Sequence, residues 1–183
     1  MKKFIIFPIC CLLFCVCSMA QFTKASLQAT GLTCALCSNA INTAVSQLPF
    51  VESVKSDIKN SSFAIHFKRN TYVDFDDIKK AVEDAGFSVG GLSITGRFDN
   101  VQVEKDKHIQ IGATAFHFLN NANQILSGEQ TIVIVDKDYL SAKQFKKLTG
   151  ATKMSCVQTG KANADCCTKD GIKAGTRIYH VTI

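Results

Sequence analysis

The sequence contains no tryptophan, only two prolines among its 183 residues, and no strong excess of either charge. Scarce proline together with 46% apolar residues excludes a collagenous or disordered chain, because there is enough apolar surface to bury. A net charge of +6 without a dense basic stripe argues against a nucleic-acid partner. Beyond the first 20 residues, no apolar run is long enough to span a bilayer.

Recognisable catalytic sets are also missing from the sequence. We find no Gly-rich phosphate loop, no Ser, His and Asp set, and no pair of carboxylates at a recognisable spacing. The four histidines are scattered without partners at metal-ligand spacing, and each is interpreted as a surface or core residue. The chain is therefore predicted not to be an enzyme.

The first 20 residues have the pattern of a secretory signal peptide. Lys2 and Lys3 precede an apolar run, and Ser18 and Ala20 supply the small residues that a signal peptidase requires. Cleavage before Gln21 is expected to leave an exported protein, periplasmic or extracellular, with no integral membrane segment. A membrane anchor and a lipoprotein are alternatives, but the run is short for a span and lacks a lipoprotein cysteine pattern.

Residues 25–95 alternate between the apolar spacing of strands and that of amphipathic helices, in the order βαββαβ. Ile41 belongs to the apolar face of the first helix and Ile78 to that of the second. Asp74 is expected to cap the second helix, and Gly86 to end it. This order predicts a ferredoxin-like sandwich of two helices on an antiparallel sheet.

A glycine-rich stretch ends at residue 96 and marks a predicted domain boundary. Residues 21–96 are expected to fold independently, and residues 97–183 to form a second domain. The second domain is mainly β, with one helix that begins at a capping box of Ser141 and Gln144. The predicted fold class is therefore α+β, a ferredoxin-like sandwich followed by a small β-rich domain compatible with an OB-like barrel.

Cys34 and Cys37 form the sharpest motif, in the loop between the first predicted strand and the first predicted helix. Two thiols separated by two residues can converge on one ion. Cys37 lies near a helix N-terminus, where free N–H groups and the helix dipole favour the thiolate that binds metal. Two thiolates without a nearby carboxylate or histidine suit a soft, low-coordinate ion, with Cu(I) first and Hg, Zn or Cd as other choices.

Two sequence matches place this pair in a known context. A Gly-Met-Thr-Cys-x-x-Cys motif is present as Gly31-Leu32-Thr33-Cys34-x-x-Cys37, and an Ala-Gly-Phe motif as Ala85-Gly86-Phe87. In these motifs, residues 25–95 resemble the heavy-metal-associated domain of copper chaperones, metal-exporting P-type ATPases and periplasmic mercury-binding proteins. The C-terminal half carries no such resemblance.

The resemblance implies that Cys34 and Cys37 are the metal ligands and that Phe87 packs near the metal loop. It also implies that the ion is exchanged with another metal-carrying protein or a transporter. Leu32 stands where the family has methionine, which is a conservative apolar change.

Two other interpretations of the pair remain open. Thioredoxin-like oxidoreductases also place Cys-x-x-Cys at a helix N-terminus, but they resemble one another in a downstream cis-proline loop, and here Pro49 is the only proline after residue 20. The other alternative is an envelope interaction or structural protein whose cysteine pair is a disulfide or a redox element.

Three further cysteines, Cys156, Cys166 and Cys167, lie near the C-terminus. After cleavage the chain would keep five cysteines, an odd number, so at least one would be free, metal-bound or paired with another molecule. Export favours one disulfide from Cys156 to Cys166 or Cys167, because vicinal cysteines rarely bond each other. The alternative is a second soft-metal site of three sulfurs, with Met154 as an additional ligand.

Overall fold

The computed structural model describes residues 21–32, 35–119, 123–150 and 152–183. The predicted signal peptide and Cys34 lie outside the described residues. In chain order, the elements of the described residues are β1 (Gln21–Thr30), α1 (Ala35–Ser46), β2 (Val51–Asp57), β3 (Ser62–Phe67), α2 (Phe75–Asp84), β4 (Ser88–Val103), β5 (His108–Ile111), β6 (Thr114–Phe118), β7 (Gln124–Ile134), α3 (Ala142–Thr149), α4 (Cys156–Thr159), a 3-10 helix (Thr168–Asp170) and β8 (Ile178–Thr182).

The first six elements have the predicted βαββαβ order, with strands arranged β2-β3-β1-β4. Ile41 of α1 and Ile78 of α2 have no exposed surface, which confirms the predicted core faces of both helices. Asp74 caps α2 by accepting a hydrogen bond from the Asp76 N–H at 2.9 Å. Gly86, just after α2, has a φ of 87°, a conformation that glycine adopts without a Cβ penalty.

The eight strands belong to one mixed sheet, in the order β2-β3-β1-β4-β7-β8-β6-β5. Neighbouring strands are antiparallel except β6 and β8, which are parallel. Strand β4 is 16 residues long and pairs with β1 on one side and with β7 on the other. The predicted boundary at residue 96 therefore falls inside a strand, and the sheet continues across it.

The glycines that predicted this boundary have another physical role. A Cβ added at Gly90 would lie 2.8 Å from Thr30 Cγ2, and one at Gly96 would lie 2.9 Å from Phe22 Cδ1. Both glycines thus permit close packing of neighbouring side chains within the sheet. The OB-like barrel predicted for the second half is not confirmed, because its strands extend the N-terminal sheet.

The main core also crosses the predicted boundary. The ring of Phe22 in β1 lies 5.7 Å from that of Phe116 in β6, and the ring of Phe75 in α2 lies 5.2 Å from that of Tyr179 in β8. A second, smaller apolar cluster is built from C-terminal residues alone. Independent folding of residues 21–96 stays a prediction.

The predicted capping box at the start of α3 is confirmed, since the Ser141 and Gln144 side chains and backbone N–H groups bond reciprocally. A group of polar contacts joins the two halves of the chain at the start of α2. Asp76 accepts hydrogen bonds from Arg177 at 2.7 and 3.0 Å and from the Tyr139 hydroxyl at 2.8 Å.

No helix in the described part of the chain combines the length and apolar character needed to cross a bilayer.

Candidate metal-binding sites

The first candidate site follows β1, where the chain turns into α1. Gly31 begins this turn with a φ of 86°, a left-handed conformation that favours glycine. A Cβ at Gly31 would lie 3.9 Å from Phe87 Cδ1, so the Phe87 ring lies beside the loop. Leu32 and Phe87 are both partly buried and pack against the main core. Leu32 thus holds the residues just after β1 against the body of the domain.

Cys37 is the third residue of α1 and is half-buried. The first turn of a helix has backbone N–H groups without helical partners, and the helix dipole there favours a thiolate. The first turn of α1 contains no acidic residue that would oppose this effect. Cys34 lies outside the described residues, so its role as the second ligand stays a prediction.

Leu36, between the two cysteines in sequence, is 81% exposed. It is the most exposed of the large apolar side chains in the described residues. An isolated exposed leucine is ordinary on a protein surface. At this position it precedes Cys37 in sequence and is open to solvent.

The three C-terminal cysteines lie together. Cys156 begins α4 and Cys167 precedes the 3-10 helix, and both are buried, whereas Cys166 is half-buried. The sulfurs of Cys166 and Cys167 are 3.0 Å apart, and the Cys166 thiol donates to Asn163 Oδ1 at 3.0 Å. All three cysteines are thiols in this structure. The disulfide expected for the exported protein stays a prediction.

Three buried histidines surround Cys156, although their sequence positions predicted no metal ligand. His108 Nε2 lies 3.4 Å from Cys156 Sγ, and His117 Nδ1 lies 3.8 Å from the same sulfur. His108 in β5 pairs in register with His117 in β6, and His117 pairs with His180 in β8. Side chains at paired positions share one face of a sheet, which aligns the three rings. We call these histidines and the three cysteines the His–Cys cluster.

Each histidine of the His–Cys cluster lies near a carboxylate. The nitrogen-to-oxygen distances are 2.8 Å for His108 and Asp170, 3.5 Å for His117 and Asp106, and 2.6 Å for His180 and Asp136. Burial and the neighbouring His180 and His108 lower the pKa of His117 to about 3. Burial also raises the pKa of the Cys156 thiol. Both shifts favour the neutral forms of His117 and Cys156, so these two groups are neutral donors when no metal is bound.

The βαββαβ unit formed by β1 to β4 with α1 and α2 is a small ferredoxin-like fold. Residues 26–88 match the family model of the heavy-metal-associated domain. This match confirms the resemblance predicted over residues 25–95. The C-terminal half, which contains the His–Cys cluster, lies outside this match.

Relatives of this segment include parts of much longer proteins. Over 66 residues the chain is 38% identical to a probable copper-exporting P-type ATPase of Archaeoglobus fulgidus. This match covers 36% of this chain and 8% of that protein. Over 65 residues it is 34% identical to the probable copper-transporting ATPase HMA5 of Arabidopsis thaliana, and the match covers 36% of this chain and 6% of that protein. Among solved structures, a copper-binding domain from HMA7, a P-type ATPase, is 33% identical with a TM-score of 0.34, covering 37% of this chain and 89% of that chain. The chain thus spans less than a tenth of the length of these two curated relatives.

Proposed function

We propose that this protein is exported, captures Cu(I) through Cys34 and Cys37, and passes the ion to another metal-carrying protein or to a transporter. It acts as a carrier and not as an enzyme. The match of residues 26–88 to the heavy-metal-associated domain carries the proposal, since the matched segment includes Cys34 and Cys37. The resemblance of the Gly31 to Cys37 motif to that family implies that these two cysteines are the metal ligands. The copper-related names of its relatives favour Cu(I) over Hg, Zn or Cd.

The position of Cys37 supports this role physically. A thiolate in the first turn of α1 is favoured by the helix N-terminus, and the thiolate is the form that binds metal. A site of two sulfurs leaves the ion open on one side. That opening is what a carrier needs, because an acceptor ligand must reach the ion before the donor releases it.

Transfer then proceeds by ligand exchange. A thiolate of the acceptor adds to the bound ion while one cysteine thiolate leaves, so one Cu–S bond forms for each that breaks. The acceptor thiol releases a proton to solvent and the departing cysteine takes one up. Copper stays in the Cu(I) state throughout, and no oxidant or reductant is consumed. The exposed Leu36 beside Cys37 offers apolar contact to the docking acceptor.

Cu(I) titration of the reduced protein against a chromophoric Cu(I) chelator tests the capture step. The Cys34→Ser, Cys37→Ser double variant should lose one tightly bound equivalent of Cu(I). Thr43→Ala, at an exposed position on the same helix, should retain it and serves as the control. Full Cu(I) affinity in the double variant, or tight Zn(II) binding without Cu(I) binding, would contradict the proposal.

Export is tested separately by the mass of the secreted chain. The proposal predicts a chain that begins at Gln21 in the periplasm or the medium. A full-length chain that begins at Met1 and stays inside the cell would contradict it.

A further inference from the structure

The His–Cys cluster offers a second and different metal site, independent of the loop at Cys37. We propose that one tetrahedral Zn(II) ion is held there by three thiolates and one imidazole, from Cys156, Cys166, Cys167 and His108. The site lies in the C-terminal half, outside the heavy-metal-associated match of residues 26–88.

The spacing of the four donor atoms fits such a site. All four lie within 4.8 Å of one another. Zinc binds thiolate sulfur at about 2.3 Å and imidazole nitrogen at about 2.0 Å, so neighbouring ligand atoms of a tetrahedron are about 3.5–3.8 Å apart. The 3.4 Å separation of His108 Nε2 from Cys156 Sγ is close to this spacing. Movements of the side chains, including a separation of the Cys166 and Cys167 sulfurs from their present 3.0 Å, would bring the four atoms to zinc distances.

Asp170 orients His108 as a metal ligand. One oxygen of this carboxylate lies 2.8 Å from His108 Nδ1 and accepts from the His108 backbone N–H at 3.0 Å. An ionised carboxylate can only accept, so Nδ1 carries the proton. In the neutral imidazole, Nε2 then has a free lone pair, and this nitrogen faces Cys156. A carboxylate bound to the far nitrogen is the usual support for a metal-ligating histidine.

The donor set favours Zn(II) in a closed site. Cu(I) suits few, sulfur-rich ligands, whereas three cysteines and one histidine are a complete four-ligand set for structural zinc. Three of the four ligands are buried, and only Cys166 is half-buried. Cys166 also lines a surface cleft with Met154 and Ser155, which gives an ion a route to the cluster.

A metal here would join chain segments that have little regular structure of their own. Helix α4 has four residues and the following 3-10 helix has three. Cys156 starts the first of these and Cys167 precedes the second, while His108 starts β5. Coordination would link all three segments, and metal binding of this kind contributes directly to folding stability.

A second set of donors competes for the same sulfur. His117 and His180 with Cys156 form a group of three buried ligand atoms within 4.8 Å of one another. The set with His108 is favoured because it has four donors and because His108 lies closer to Cys156 than His117 does, at 3.4 Å against 3.8 Å.

Metal analysis of the reduced, exported protein after exposure to Zn(II) and gel filtration tests the site. One equivalent of Zn(II) should remain, also in the Cys34→Ser, Cys37→Ser variant, which separates this proposal from the function proposed above. Co(II) in place of Zn(II) should show the absorption of tetrahedral cobalt with thiolate ligands. His108→Ala should lose the ion, whereas His66→Ala, at an exposed position of β3, should keep it.

Asp170→Asn keeps the proposal testable if His108→Ala does not fold. It should lower Zn(II) affinity about 10–100-fold while leaving the tetrahedral Co(II) spectrum in place. Chelation of the ion should lower the melting temperature of the wild type.

Three results would overturn the proposal. The first is no uptake of Zn(II) or Co(II) by the reduced protein. The second is a disulfide, detected as only one alkylated thiol among Cys156, Cys166 and Cys167 when the unreduced protein is unfolded. The third is loss of the ion in His117→Ala or His180→Ala together with its retention in His108→Ala, which would assign the metal to the other donors.

Discussion

The cysteine pair after β1 and the His–Cys cluster differ in how far apart their residues lie in sequence and in how exposed their surroundings are. Cys34 and Cys37 are separated by two residues, and one of these, Leu36, is 81% exposed. The cluster takes donors from distant positions, with His108 and Cys156 separated by 48 residues, and buries most of them. An open pair of ligands suits an ion that must leave, and a closed set of four suits an ion that stays. The two proposals therefore assign transfer to the pair at Cys34 and Cys37 and a structural role to the His–Cys cluster.

The largest effect is expected from Ile41→Ala, which tests whether the loop depends on the core beneath α1. Ile41 is fully buried, so its truncation should lower the free energy of unfolding by about 2–5 kcal/mol. Chemical denaturation measures the loss. Thr43→Ala, exposed on the same helix, should change stability by about 0.5 kcal/mol or less.

The same variant also tests whether the two proposed sites are independent of each other. Below its unfolding temperature, Ile41→Ala should keep the Co(II) spectrum of the His–Cys cluster, because α1 contributes no ligand to it. Equal stability of the Ile41→Ala and Thr43→Ala proteins would contradict the described core.

A smaller loss of stability is expected from Asp76→Asn. This variant tests how much the contact of Asp76 with Arg177 contributes to joining the N-terminal and C-terminal halves of the chain. Burial acts to raise the pKa of the Asp76 carboxyl, but the hydrogen bonds and charge of Arg177 outweigh it and hold the pKa below its ordinary value. The carboxylate side chain is 44% exposed, so solvent screening limits the expected loss to about 1–2 kcal/mol at neutral pH.

The sign of the pH dependence follows from the direction of this shift. Below the ordinary carboxyl pKa of about 4, the unfolded chain takes up the proton more readily than the folded one. The contribution of Asp76 is therefore complete above about pH 4 and is lost as pH falls through the lower folded value. Unfolding curves of the wild type and Asp76→Asn should converge in acid. Asp84→Asn, on an exposed ion pair of the same helix, should change stability by only about 0.5 kcal/mol. A difference in the free energy of unfolding between the wild type and Asp76→Asn that stays constant with pH would contradict the ion pair of Asp76 with Arg177.

The smallest effect on stability is expected from Leu36→Ala, which tests the open character of the loop. Since Leu36 is exposed, its truncation should leave unfolding and Cu(I) affinity unchanged. Transfer of Cu(I) to a thiol-containing acceptor protein should become slower, as measured by stopped-flow absorption. Unchanged transfer rates would show that the acceptor does not contact this side chain.

The features that depend on the spacing of residues within one element could be predicted from the sequence. The helix faces at Ile41 and Ile78, the cap at Asp74 and the capping box at Ser141 all arise within one element and its flanking residues, and the structure has each of them. The resemblance of residues 25–95 is also visible in the sequence, because its motifs are short and continuous.

Features that depend on strand order could not be predicted from such local patterns. The histidines of the His–Cys cluster meet only because β5, β6 and β8 lie side by side, and β6 pairs with β8 in parallel across a long connection. The glycines of β4 predict a boundary in the sequence, whereas in the structure they make room for Phe22 and Thr30. A glycine in a linker and a glycine under a neighbouring side chain look the same in sequence, so the pattern of glycines does not reveal the continuous sheet.

X-ray absorption at the copper edge distinguishes the two proposed sites by the ligands that bind copper. The reduced protein, with its His–Cys cluster first loaded with Zn(II), is given one equivalent of Cu(I). We expect copper with two sulfur ligands and no imidazole scattering, one retained equivalent of zinc, and loss of the copper signal in the Cys34→Ser, Cys37→Ser variant. Copper with three or more ligands including an imidazole, accompanied by release of the zinc, would contradict this expectation.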